Sequence, residues 1–145
     1  MIEAYVDSNV LIRFLMGDDP EMAERVRRSL TAAADGQIRL ILTPVVMAEL
    51  VWTLSSFYRL KRKEVAGNLL RLLTLRGLEV RDRDAVTVAL SLFGERNLDF
   101  VDAFLAACAL VEGPGQICTF DRHFRNIPGL TVVEPGSDAA PPKGA

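Results

Sequence analysis

Residues 2–16 read IEAYVDSNVLIRFLM. Residues 2–6 form a short apolar run that reads as a buried strand ending in Asp7, and Val10, Leu11, Phe14 and Leu15 then recur at helical spacing. A second helix is punctuated by Asp19 as N-cap, Pro20 in its first turn and Gly36 after its end, with Ala23, Val26, Leu30 and Ala33 as its inward stripe. Residues 38–42 read as a strand, and Thr43-Pro44 opens a helix running towards Tyr58. A helix over residues 62–75 stops at Gly77, a brief strand covers 78–80, and another helix covers 84–96. Asp99 opens a helix that reaches Val111. The turn Gly113-Pro114-Gly115 leads to a strand over 116–120, and a last strand covers 130–133.

Strands separated by helices imply parallel pairing, right-handed crossovers and a sheet covered on both faces. The expected architecture is a three-layer α/β/α sandwich around a central, mostly parallel five-stranded sheet, occupying residues 1–134. Residues 135–145, rich in Pro, Gly and Ala, are expected to be a disordered tail. No internal repeat is visible.

With 50% hydrophobic and 25% charged residues over 145 positions, the composition is that of one globular domain. A net charge of −2 argues against a protein that binds nucleic acid by bulk charge, unless bound cations neutralise some of its acids. Cys108 and Cys118 lie in apolar sequence without metal or redox spacing, and both are expected to be buried thiols. Glu3 and Asp7 inside the first apolar run do not suit a secretory signal, and the apolar stretch 103–111 is too short to span a bilayer. A reducing, cytoplasmic setting is the expectation.

Open α/β sheets bind ligands beyond the carboxyl ends of their strands. Asp7 ends the first strand and Asp121 follows the strand over 116–120. Glu49 lies on the second turn of the helix after the second strand, and Asp102 lies in the first turn of the helix opened by Asp99. The fold would carry these acids to one sheet edge, where their mutual repulsion is relieved by a hard divalent cation with oxygen ligands. Simpler readings stand beside this one. Asp99 and Asp102 have the spacing of a capping box, and Asp7 and Asp121 can each start the turn that follows. Glu49 sits among Val45, Val46, Met47, Leu50, Val51 and Trp52, so it needs a partner or an ion if buried.

In these segments the chain resembles the PIN domain, especially the VapC-like ribonuclease toxins of toxin–antitoxin pairs. The stretches that carry the likeness are VDSNVLIRFL from Val6, TPVVMAELVW from Thr43, LDFVDAFLAACAL from Leu98 and ICTFDRHF from Ile117, in family order over residues 2–134. The resemblance implies that Asp7, Glu49, Asp102 and Asp121 hold one or two Mg2+ or Mn2+ ions and support hydrolysis of RNA phosphodiesters. It also implies supporting roles for Asn9 and Thr119, and it matches Asp99 to an acid found in many relatives. A cognate antitoxin and a homodimer are the implied protein partners, with no membrane.

His123, the single histidine, reads as a surface or packing residue. Arg59, Lys61, Arg62 and Lys63 read either as a solvated turn or as a phosphate-tracking rim; Trp52, Phe57 and Tyr58 read first as core, while the resemblance implies dimer and antitoxin contacts near this helix that would leave some of them exposed. Two rival functions remain. A non-catalytic PIN-like binding domain would be marked by lost acids, and all four are present. An Asp-dependent phosphotransfer enzyme of the dehalogenase kind would need Asp where Asn9 stands. A receiver domain would need a late lysine, and none lies between Lys63 and Lys143.

Overall fold

The computed structural model describes residues 1–136. Pro135 and Gly136 form a turn, and residues 137–145 of the expected tail lie outside the described residues. The elements follow the expected alternation: β1 (Ile2–Tyr5), α1 (Ser8–Met16), α2 (Pro20–Ala34), β2 (Ile38–Leu42) and α3 (Pro44–Trp52). A π-helical segment, Thr53–Phe57, extends α3 and precedes α4 (Arg62–Leu72) and β3 (Leu78–Val80). Then come α5 (Arg83–Glu95), α6 (Phe100–Glu112), β4 (Gln116–Cys118), a short 3-10 turn at Arg122–Phe124, and β5 (Thr131–Val133).

Local chemistry starts the helices where the sequence places them. The Asp19 carboxylate accepts from the Met22 backbone N–H at 3.1 Å, and the Thr43 hydroxyl accepts from that of Val46 at 3.3 Å, each with proline next in the chain. The single helix expected to run to Tyr58 instead widens after Trp52, where the Tyr58 N–H bonds to the Thr53 carbonyl at 3.1 Å. This turn seats the Tyr58 hydroxyl 2.6 Å from Asp18, to which it donates.

β1, β2 and β3 form a parallel sheet in that order, with Ile2 opposite Ile38 and Leu40 opposite Leu78. Leu42 belongs to the main apolar cluster and Leu40 packs on it, whereas the intervening Ile41 is buried outside it, as alternation along a strand requires. The α2 stripe of Ala23, Val26, Leu30 and Ala33 is also buried outside that cluster, and α2 packs on β2 and β3. Helices therefore cover both faces. On the main-cluster side α4, α5 and α6 pack in succession, and fully buried Ala89, Ala103, Ala106 and Ala107 leave α5 and α6 little side-chain bulk between them.

The sheet departs from the expected five strands. β4 and β5 pair only with each other, in parallel, as a separate two-stranded sheet. Each is three residues long and offers few ladder bonds, so apolar anchoring by Ile117, Phe124 and Ile127 in the core governs where this segment sits. One consequence is that β1 becomes an edge strand rather than a buried one, with Ile2 65% and Tyr5 68% exposed. The same alternation that buries Ile117 turns Cys118 outward, so of the two cysteines expected to be buried only Cys108 is partly so. Trp52 and Phe57, expected in the core, are 65% and 71% exposed.

Two contacts fix how elements join. Gly77, with φ +81°, lies so close to the end of α2 that a Cβ there would stand 2.1 Å from the Ala33 carbonyl oxygen. Between α4 and the end of α5, Nη1 of Arg62 donates to the carbonyls of Phe93, Arg96 and Leu98 at 3.1, 3.0 and 2.6 Å. The guanidinium also lies 4.4 Å over the Phe93 ring. Arg62 thus caps the end of α5 and secures the connection that leads into α6.

Candidate active site

The four acids occupy the positions expected of them along the chain, and the structure gathers them in two groups. The first lies where β1 passes into α1. Asp7 has extended backbone and caps α1 by accepting from the Ser8 N–H at 2.7 Å. Glu49 projects from α3, which packs on α1. Its carboxylate is exposed despite its apolar neighbours in sequence, and its partner is the Ser8 hydroxyl, which donates to Oε1 at 2.6 Å. Ser8 itself is buried, and sequence reading passed over it in favour of Asn9. The available signal was a small hydroxyl directly after Asp7 at the first position of a helix whose neighbours are apolar. Asn9 is exposed and makes no side-chain hydrogen bond among the described residues; it lines a groove between α1 and α2.

The second group lies where α6 begins and β4 ends. Asp99 precedes α6 with extended backbone but its side chain makes no capping bond, so it does not form the capping box open to it with Asp102. Asp102 is partly buried in the first turn. Its carboxyl is held above the usual range, first by that burial, then by the negative charges of Asp121 and Asp99, with His123 acting in the opposite sense. Asp121 follows β4 and starts the 3-10 turn, accepting from the His123 N–H at 2.8 Å. Its own N–H donates to the Thr119 hydroxyl oxygen at 2.9 Å, so Thr119 fixes the backbone from which the acid projects. His123 is exposed, and its Nδ1 lies 3.0 Å from Asp121 Oδ1.

Among the described residues, no three Asp, Glu, His or Cys side chains already stand close enough to hold a metal ion together. The donor chemistry nonetheless fits a hard cation. The four acids offer only oxygens, and Asp102 experiences a crowding of negative charge that a cation would relieve. Burial, with the charges of Glu112 and Asp82 behind it, pushes the Cys108 thiol up, away from the reactive thiolate.

Among the described residues no helix is long and apolar enough to cross a membrane. The PIN domain family model matches residues 4–130. The chain is 24% identical over 130 residues to a VapC ribonuclease of Aquifex aeolicus (strain VF5), covering 90% of this chain and 95% of that one. Among solved structures, a chain from the crystal structure of VapBC2 from Rickettsia felis bound to a DNA fragment from their promoter is 16% identical. That match covers 92% of this chain and 98% of the other, with a TM-score of 0.38.

Proposed function

We propose, since this chain belongs to the PIN domain family, that it is a divalent-cation-dependent endoribonuclease and the toxin member of a toxin–antitoxin pair. The observation that carries the reading is the placement of Asp102: a partly buried carboxyl in the first turn of α6, within reach of the charges of Asp121 and Asp99, with no Lys or Arg ion pair to it among the described residues. Such crowding costs stability unless a cation is the intended partner. The similarity to a VapC ribonuclease supports RNA as substrate.

In this reading Asp7, Glu49, Asp102 and Asp121 are the ligands of one or two Mg2+ or Mn2+ ions. When bound, such ions lower the pKa of a coordinated water and offset charge on phosphoryl oxygens. The chain's own contribution is placement. Ser8 touches Asp7 and Glu49, Thr119 holds the Asp121 backbone, and Asp99 adds negative charge beside Asp102. A second reading, a non-catalytic PIN-like binding domain, is favoured by the lack, among the described residues, of any three acidic, His or Cys side chains close enough together to hold a metal ion.

The decisive experiment is cleavage of a panel of structured RNAs by the purified chain with Mg2+, with Mn2+ and with chelator. Cleavage that chelator abolishes and either ion restores is expected. Cleavage indifferent to chelator, or none with either ion while RNA still binds, would favour the binding-domain reading.

Protein partners belong to the same proposal. The groove between α1 and α2 has a volume of about 780 Å³, and every charged residue lining it is an arginine: Arg13, Arg25 and Arg28. Arg25 and Arg28 make no ion pair among the described residues, and Val10 and Val26 supply an apolar floor. That combination suits an acidic, amphipathic antitoxin segment. Exposed Val45, Trp52 and Phe57 on α3 and its π-helical extension are the surface offered for a homodimer.

A further inference from the structure

We infer that Ser8 is a positioning residue that holds Glu49 by one carboxylate oxygen and leaves the other for a small divalent cation; this rests on the cation site proposed above. Ser8 is 4% exposed, the single polar or charged residue buried among those described. It stands first in α1, and its two donors serve two different acids: the backbone N–H reaches Asp7 Oδ1 at 2.7 Å and the hydroxyl reaches Glu49 Oε1 at 2.6 Å. Glu49 lies 41 residues further along the chain, so one serine ties together carboxylates carried by separate elements.

The physical consequence concerns Glu49. An exposed glutamate has several rotatable bonds and loses appreciable rotamer freedom when it is fixed. A short, charge-assisted bond from a buried hydroxyl selects one arrangement before any ligand arrives. With Oε1 engaged by Ser8, Glu49 is disposed to ligate through a single oxygen. Small cations such as Mg2+ require near-ideal six-fold geometry, whereas Ca2+ readily takes both oxygens of one carboxylate. Ser8 therefore acts on cation affinity and on discrimination against Ca2+, without itself touching substrate or ion.

The test is calorimetric titration of Mn2+ and of Ca2+ into the full chain, comparing wild type, Ser8→Ala, Ser8→Thr, Glu49→Gln and the Ser8→Ala/Glu49→Gln double variant. Ser8→Ala should weaken Mn2+ binding by about 10–100-fold, the usual range for losing a partner that orients a metal ligand. It should also narrow the preference for Mn2+ over Ca2+. Ser8→Thr, which keeps the hydroxyl, should restore both, and the alanine effect should vanish when Glu49 is already Gln. Melts in chelator confirm folding, and Ser8→Cys, with a poor donor of similar size, replaces Ser8→Ala if the latter does not fold. Wild-type Mn2+ affinity in a folded Ser8→Ala protein, or an equal loss in the Glu49→Gln background, overturns the inference alone. Absence of Mn2+ binding by the wild type overturns the cation site as well.

Discussion

Asp102 in the first turn of α6 and Asp121 just after β4 come within reach of each other's charge, and that of Asp121 adds to burial in keeping the Asp102 carboxyl above its usual range. A carboxyl raised on folding binds its proton more tightly in the folded state than in the unfolded chain. Its stabilising contribution is complete below the unfolded pKa and is lost as pH rises through the raised folded value. In chelator, the wild type should therefore lose stability as pH climbs from the ordinary carboxylate range through that value. Asp102→Asn should not share this loss, so its melting temperature should gain on the wild type across the window. Asp18, held below the usual range chiefly by the Tyr58 hydroxyl, slopes the other way in both proteins and cancels in the difference. Parallel melting-temperature curves for the two proteins would contradict the charge crowding.

The four acids are expected to behave alike in catalysis. Asp7→Asn, Glu49→Gln, Asp102→Asn and Asp121→Asn should each lower RNA cleavage on the order of 100-fold or more, given that partners which merely orient a ligand already cost about 10–100-fold. None of the four residues belongs to the buried core, so far-ultraviolet circular dichroism should remain that of the wild type. Full cleavage by any one variant would remove that acid from the site.

Gly77 offers a prediction about stability alone. Its left-handed backbone and the 2.1 Å approach to the Ala33 carbonyl leave no space for a methyl group. Gly77→Ala should destabilise by about 2–5 kcal/mol, combining a left-handed backbone cost of about 1–2 kcal/mol with an overpacking cost of about 1–3 kcal/mol. Urea denaturation measures it. A loss below 1 kcal/mol would mean that β3 and α2 can separate freely at this point.

Sequence periodicity located the helices and most strands because each depends on its own residues: the α2 stripe of Ala23, Val26, Leu30 and Ala33 is buried as expected, and Asp19 and Thr43 cap as expected. Pairing between distant strands is a property of the whole molecule. Nothing local to Gln116–Cys118 says that it bonds to β5 and not to β1, and the exposure of Tyr5 follows from that choice. The places of the four acids on their elements were legible because a carboxylate at a strand end or early in a helix is fixed by its own segment. Ser8 was not, because a serine gains its meaning from Glu49, which is its neighbour only in space. For Trp52 and Phe57 the exposed alternative holds over the core reading, for a related reason: apolar composition signals burial but does not say which face of a helix the rest of the chain covers.

Arg62 shows how the same ambiguity resolves in the opposite direction. In sequence it belongs to a basic run, Arg59, Lys61, Arg62 and Lys63, suited to tracking phosphates. In the structure its guanidinium is committed to the carbonyls of Phe93, Arg96 and Leu98, to the Asn97 side chain at 3.3 Å and to the face of Phe93. These groups end α5 and form the link to α6, which Asp99 precedes and whose first turn carries Asp102. Removing the guanidinium would strip partners from several carbonyls at once, and hydrogen bonds from a charged donor contribute about 1.5–3 kcal/mol each at most. Arg62→Ala should therefore destabilise by roughly 2–4 kcal/mol, less than a simple sum because water replaces part of what is lost. Arg62→Lys should recover little, since a single ammonium cannot reproduce a planar fork stacked on a ring. By contrast, Lys61→Gln and Lys63→Gln should leave stability unchanged. If the run also tracks RNA, those two lysines alone should lower the salt dependence of binding. The measurements are urea denaturation for all variants and RNA binding at several salt concentrations for the lysine pair. A fully stable Arg62→Ala would refute the structural assignment and return Arg62 to the set of residues available for RNA.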